Sequence, residues 1–307
     1  MKTIVVVGSL NVDLVSTLDR MPVEGETIAG TGFQIHSGGK GANQAVAIGR
    51  LGAPVEMVGA LGDDAFAETL AADLRSAGVG TAGVKRVAGS SGCAIILVAK
   101  SGSNCIVVNA GANAELRPDD LHQHASLFRD ASVVLCQLET PIETVMEAAV
   151  LARAASVPFV LDPAPMTAEA LPAELLKLVT WLTPNETETA ALLSQMGQPG
   201  HDLGSDPGVE RAAEQLLSMG PRNVILKRGS RGVYLAGADC TPAHIAAEPV
   251  TAVDTTAAGD AFNGGFAFAL AQGKTPAEAA AFACSVAAFS VTRCGAQESM
   301  PLMADLA

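Results

Sequence analysis

The chain opens on four consecutive apolar residues, Ile4-Val5-Val6-Val7, closed by Gly8. An unbroken β-branched run of this kind predicts a strand buried on both faces. Comparable runs recur at residues 55–60, 133–138, 159–161, 179–182 and 224–226. Between several of them the apolar period changes from continuous to helical. One such stretch opens at Asp63-Asp64, carries Phe66, Leu70 and Leu74 on one face and stops at Gly78. Pro141 opens a second with Ile142, Val145, Met146 and Ala149, and Pro207 a third through Val209, Ala213, Leu216 and Leu217 to Gly220. Strands alternating with helices predict an α/β fold with a mostly parallel sheet covered on both sides. Residues 13–35 and 93–109 break the rhythm and read as antiparallel pieces, the second turning at Lys100-Ser101-Gly102-Ser103-Asn104. They predict a small separate sheet, a lid built from about 13–36 and 92–110, on a single domain spanning 1–307.

Composition narrows the class. Hydrophobic residues make up 49% and charged residues 17%, which excludes a disordered chain. Nineteen basic against 32 acidic residues leave a net charge of −13, which argues against a nucleic-acid backbone as partner. A small anion held locally stays open. The six cysteines (Cys93, Cys105, Cys136, Cys240, Cys284, Cys294) show no CxxC spacing, so reduced thiols in a cytoplasmic protein are expected. The apolar run at the amino end is too short for a secretion signal. The longest apolar stretch, 279–291, includes Cys284, Ser285 and Ser290 and falls short of the ~20 residues that span a bilayer.

In open parallel sheets, ligands sit beyond the carboxyl ends of the strands. Asn11 and Asp13 follow the first run, Glu139 the run at 133–138, Asn185-Glu186 the run at 179–182, and Lys227-Arg228-Gly229-Ser230 the run at 224–226. Singly, such residues usually mark only a turn; their recurrence at one sheet edge suggests a site. Asp162 also follows a strand, but Pro163 and Pro165 make a rigid turn the expected role. His36, His122, His124, His201 and His244 have no ligand spacing, and Cys136 and Trp181 read as core.

Two glycine clusters are sharper. Ser37-Gly38-Gly39-Lys40-Gly41-Ala42-Asn43 leads into a helix, letting backbone amides approach a ligand while Lys40 and Asn43 supply donors. Neither a Walker P-loop nor a GxGxxG is present. The segment Asp254-Thr255-Thr256-Ala257-Ala258-Gly259-Asp260-Ala261-Phe262-Asn263-Gly264-Gly265 places small residues at a helix start, where unpaired amides attract an anion. Asp260 there is either a cap or a base accepting a hydroxyl proton while the amides hold a transferring phosphoryl group.

These two segments, in this order and spacing, resemble the signatures of the ribokinase (PfkB-type) family of sugar kinases, and the resemblance covers essentially the whole chain. It implies an ATP-dependent transfer of the γ-phosphoryl group to the 5-hydroxyl of ribose, with a family kinase for deoxyribose, fructose, a sugar acid or a nucleoside, or a noncatalytic sugar-binding regulator, as alternatives. Asn11, Asp13, Gly39, Lys40, Asn43 and Glu139 would hold the sugar. Asp260 would be the base, and the amides of Ala257, Ala258 and Gly259 the anion hole. Asn185 and the loop Lys227, Arg228, Gly229, Ser230, Arg231, Gly232 would line the nucleotide together with Cys284. Glu188 would act on Mg²⁺ through water. Asp254, Thr256, Ser290, Arg293, Gly295 and Ser299 match a potassium site, and the lid is expected to form a homodimer contact. The chain departs from the usual pattern at Lys227-Arg228-Gly229 and at Cys284, which bears on the nucleotide contacts.

Overall fold

The computed structural model describes residues 2–166, 169–198 and 200–306. Thirteen strands follow one another among the described residues: β1 (Thr3–Val7), β2 (Asn11–Leu18), β3 (Gly32–Gly38), β4 (Val55–Leu61), β5 (Val79–Arg86), β6 (Gly92–Ala99) and β7 (Asn104–Asn109) in the first part. The second part supplies β8 (Ala131–Cys136), β9 (Phe159–Leu161), β10 (Trp181–Leu182), β11 (Asn223–Lys227), β12 (Val233–Gly237) and β13 (Ala243–Ile245). Nine form one sheet in the order β13-β12-β11-β10-β9-β8-β1-β4-β5. All its pairings are parallel except those of β12 with β11 and β13 at one edge.

The alternation inside β1 shows why both faces are covered. Ile4 and Val6 enter a core shared with the helices Lys40–Arg50, Ala258–Ala271 and Pro276–Ser290; Val5 and Val7 enter another with Ile142–Ala154, Glu186–Gln195 and Asp206–Ser218. All four side chains are fully buried, each contributing about 1.5–3 kcal/mol as an upper range. The result is a three-layer αβα arrangement. The helix Ala258–Ala271 is packed between two others: a Cβ on Gly264 would lie 2.6 Å from Ala47 Cβ, and one on Gly265 2.9 Å from Val286 Cγ2.

The other four strands form a small sheet, β3-β2-β6-β7. Its hairpin-like pairs β2–β3 and β6–β7 are antiparallel, but β2 and β6 run parallel, so this sheet is mixed rather than wholly antiparallel. Strand ends also move. The run 133–138 stops as a strand at Cys136, leaving Gln137, Leu138 and Glu139 beyond the strand end, and 179–182 yields only two strand residues. Asp64 is the expected cap: its Oδ1 accepts from the amides of Phe66 and Ala67.

Chain order reverses across β1, which pairs with β4 on one side and β8 on the other. That switch point is where an open α/β sheet leaves a crevice at its carboxyl edge.

Candidate active site

At the exit of β1 the backbone meets the start of the helix Lys40–Arg50 at close range. A Cβ on Gly41 would stand 2.6 Å from the Ser9 amide nitrogen and 2.8 Å from Gly8 Cα, so only glycine fits. Gly39 caps this helix at φ +89°, a region that L side chains rarely adopt. Glu139 ties the pieces together: its Oε2 accepts from the Lys40 amide (3.1 Å) and the Ser9 hydroxyl. Asn11 and Asp13 are two apart on β2 and therefore share a face. Asn113 donates to Asn11 Oδ1 at 2.8 Å, fixing which end of the Asn11 amide faces inward. Burial pushes the Asp13 carboxyl up to about 7, helped by the charges of Glu139, Glu298 and Asp260 and opposed by His36.

Asp260 lies in the first turn of the helix Ala258–Ala271 and is 4% exposed. The residue before this helix, Ala257, adopts φ +57°, a left-handed conformation costing an alanine about 1 kcal/mol. Ala258 N donates weakly, at 3.3 Å, to Thr255 O. Both Asp260 oxygens are held: Asn43 Nδ2 donates to Oδ2 at 2.9 Å and Gln44 Nε2 to Oδ1 at 3.1 Å. Burial raises the proton affinity of this carboxyl and Asp162 adds to it, while Lys40, Asn43 and Gln44 work in the opposite direction. For Lys40, burial opposes the charge, but Asp260, Asp162, Glu139 and Glu188 together hold the ammonium firmly protonated.

Asp162 is the main residue missed by sequence reasoning. It sits at the exit of β9, 2% exposed, with Lys227 Nζ 3.0 Å from Oδ1 and Gln44 Nε2 3.1 Å from Oδ2. The two prolines that follow it, Pro163 and Pro165, disguise it as a turn residue; the strand exit is the signal that could have found it. Gln44 and Gln137, both fully buried, were missed as well.

A cavity of about 650 Å³ opens from this cluster. Lys40, Asp162, Asn185, Glu188, Lys227 and Asp260 line its polar end, and Val250, Phe262, Cys284 and Ala288 contribute to an apolar one. Gly229, Ser230, Gly232, Ala257, Ala258 and Gly259 also face it. Asn185 caps the helix Glu186–Gln195, accepting from the Glu188 amide while Glu188 accepts from the Asn185 amide and Nδ2, all at 2.8 Å. Burial and Asp162 raise the Glu188 carboxyl, against Lys227.

Two expected nucleotide contacts are turned away. Arg228 is buried against Asp206 (2.6 Å) and His244 (3.3 Å) because α/β packing places the helix Asp206–Ser218 beside it. Arg231 is bound to Gly204 O and Glu186. Neither side chain lines the cavity.

Part of the remaining set meets at one turn. Asp254 accepts from Thr256 N and Gly295 N, both at 2.9 Å, and the amides of Val253 and Asp254 donate to Val291 O. Burial works against ionisation of Asp254, but those bonds outweigh it and hold its carboxyl below the ordinary range. Ser290 and Ser299 hydroxyls donate to Ala287 O and Ala296 O, leaving oxygen lone pairs free. The Arg293 guanidinium sits over the Phe289 ring at 4.2 Å, so only its carbonyl is available to a cation.

The family described as pfkB family carbohydrate kinase matches residues 1–303. A ribokinase of Haemophilus influenzae is 39% identical over 301 residues, covering 98% of this chain and 95% of that protein. A deoxyribokinase of Salmonella typhi is 38% identical over 299 residues, covering 97% and 95%. Among solved structures, the Arabidopsis thaliana ribokinase complexed with ribose and ATP superposes with a TM-score of 0.91 at 34% identity, covering 99% of this chain and 97% of that one. The chain belongs to the pfkB family of carbohydrate kinases, ATP-dependent enzymes that phosphorylate sugars.

Proposed function

We propose that this protein is a ribokinase, transferring the ATP γ-phosphoryl group to the 5-hydroxyl of D-ribose. The observation that carries the reading is Asp260: a buried carboxylate at a helix N-terminus, its oxygens oriented by Asn43 and Gln44, beside an ammonium at the end of a nucleotide-sized cavity. Asp260 accepts the hydroxyl proton as the oxygen attacks. The amides of Ala257, Ala258 and Gly259 and the Lys40 ammonium stabilise the charge that develops on the transferring group.

Asn11, Asp13, Gly39, Lys40, Asn43 and Glu139 hold the sugar. The Asn43 Oδ1 is buried without a hydrogen-bond partner, which suits acceptance of a substrate hydroxyl proton. Asn185, Lys227, Gly229, Ser230, Gly232, Gly259 and Cys284 line the nucleotide. Glu188 fits a water-mediated hold on Mg²⁺: each oxygen already accepts from Asn185, leaving lone pairs for water rather than a bare ion. Mg²⁺ bound with ATP supplies neutralising charge on the phosphates. Asp254, Thr256, Ser290, Arg293, Gly295 and Ser299 offer one carboxylate with hydroxyl and carbonyl oxygens, a donor set that suits potassium. That ion would fix the turn preceding Ala257.

The small sheet is also the proposed homodimer contact. Register puts Phe33, Ile35, Ile95 and Val107 on the face opposite Asp13, and all four are exposed. All six cysteines are unpaired, which fits a cytoplasmic protein, and among the described residues no helix is long and apolar enough to cross a membrane.

The test is ADP release with Mg-ATP and a panel of ribose, deoxyribose, fructose and nucleosides, with and without potassium. Ribose-dependent, potassium-stimulated release is expected. Preference for deoxyribose would move the sugar assignment within the family, and no release with any acceptor would overturn the enzymatic reading.

A further inference from the structure

Behind Asp260 lies a buried chain of side-chain amides. Gln137 Nε2 donates to Gln44 Oε1 at 2.7 Å, and Gln44 Nε2 donates to both Asp260 Oδ1 and Asp162 Oδ2 at 3.1 Å. Both glutamines are 0% exposed. The arrangement has one orientation only: the two carboxylates can only accept, so both Nε2 hydrogens point at them and Gln44 Oε1 is left to accept from Gln137, which holds the amide in place. Gly8 makes room for it, since a Cβ there would stand 2.1 Å from Gln137 Oε1.

We propose that Gln44, oriented by Gln137, is the positioning residue that aims the Asp260 carboxylate and sets the pH at which it becomes a base. The inference rests on the reading of Asp260 as that base. Two carboxylates this close repel, and the one neutral donor between them is Gln44. Its N–H bonds more strongly to a charged carboxylate oxygen than to a protonated carboxyl, so it favours the charged form of Asp260. It also fixes the carboxylate plane, with Asn43 holding the other oxygen. Lys40 and Lys227 balance the charge from either side, but neither can orient Asp260 as a bidentate pair of amides does.

The test is the pH dependence of kcat/KM for the full enzyme, wild type against Gln44→Met, a substitution close in volume that removes the donor. Loss of a hydrogen bond to a charged group should move the acid limb up by about one pH unit or more, roughly a tenfold loss at low pH that recovers at high pH. A uniform loss at every pH, with the limb in place, overturns the proposal. Gln137→Met should move the limb the same way by less, and the double variant no further than Gln44→Met alone; additive shifts would contradict action through Gln44. If Gln44→Met does not fold, Gln137→Met carries the test, and an unmoved limb overturns the proposal. Asp260→Asn separates the two readings: if it retains turnover, the base assignment fails, whereas an inactive Asp260→Asn with an unmoved limb in Gln44→Met sinks this inference alone.

Discussion

Asp13→Asn should stabilise the sugar-free protein at neutral and higher pH while weakening sugar binding. The Asp13 carboxyl is held at about 7 in the fold against 3.8 for an ordinary aspartate, chiefly by burial and then by Glu139. Between those values the folded state keeps a proton that the unfolded chain has released, so stability falls as pH rises from about 4 to about 7. The interval corresponds at most to about 4 kcal/mol, and the partial exposure of this side chain reduces the expected effect to roughly 1–3 kcal/mol. Asparagine keeps the shape and cannot ionise, so roughly a third of its advantage over wild type should be present at pH 5 and nearly all of it at pH 8. Urea unfolding of both proteins at the two pH values measures it. A stability difference that does not widen from pH 5 to pH 8 would refute the burial argument. The same substitution removes an acceptor for a sugar hydroxyl, and the ribose KM should rise by about tenfold or more.

Gly39→Ala places a Cβ 2.7 Å from the Asn11 nitrogen and 2.9 Å from Ser9 O at φ +89°; thermal or urea unfolding should show a loss of roughly 2–4 kcal/mol. Asp254→Ala should abolish stimulation by potassium in a KCl titration of turnover, while turnover without potassium falls much less. Val107→Asp puts a charge on the exposed face that carries Phe33 and Ile35; if that face is the proposed dimer contact, sedimentation should show a dimer for wild type and a monomer for the variant.

Much of this molecule can be read from its residues because the informative ones follow strands. β1, β4, β8, β9, β10 and β11 lie in apolar runs, and Asn11, Asp13, Glu139, Asn185 and Lys227 stand where those runs end or just beyond. What stays hidden depends on contacts across the chain. β5 is interrupted by Gly80 and Gly83, the latter needed because a Cβ would meet Met57 O at 2.9 Å, so its apolar pattern is broken by packing against β4. The parallel pairing of β2 with β6 joins segments about 80 residues apart, and no local pattern encodes it. The resemblance makes Arg228 an expected nucleotide contact, but Asp206, at the start of a preceding helix, turns it away. Gln44 and Gln137 read as helix and strand-end residues of no special kind, because their value lies in a hydrogen bond between two elements, through which Gln137 reaches Gln44 and Gln44 reaches Asp260.

The central claim is that Asp260 removes the proton from the sugar hydroxyl. The most direct measurement is turnover of Asp260→Asn with saturating ribose and Mg-ATP, alongside its nucleotide affinity and its unfolding curve. kcat should fall by about 10²–10⁴ with nucleotide affinity and folding preserved. Turnover near the wild-type rate in a folded Asp260→Asn protein would contradict it.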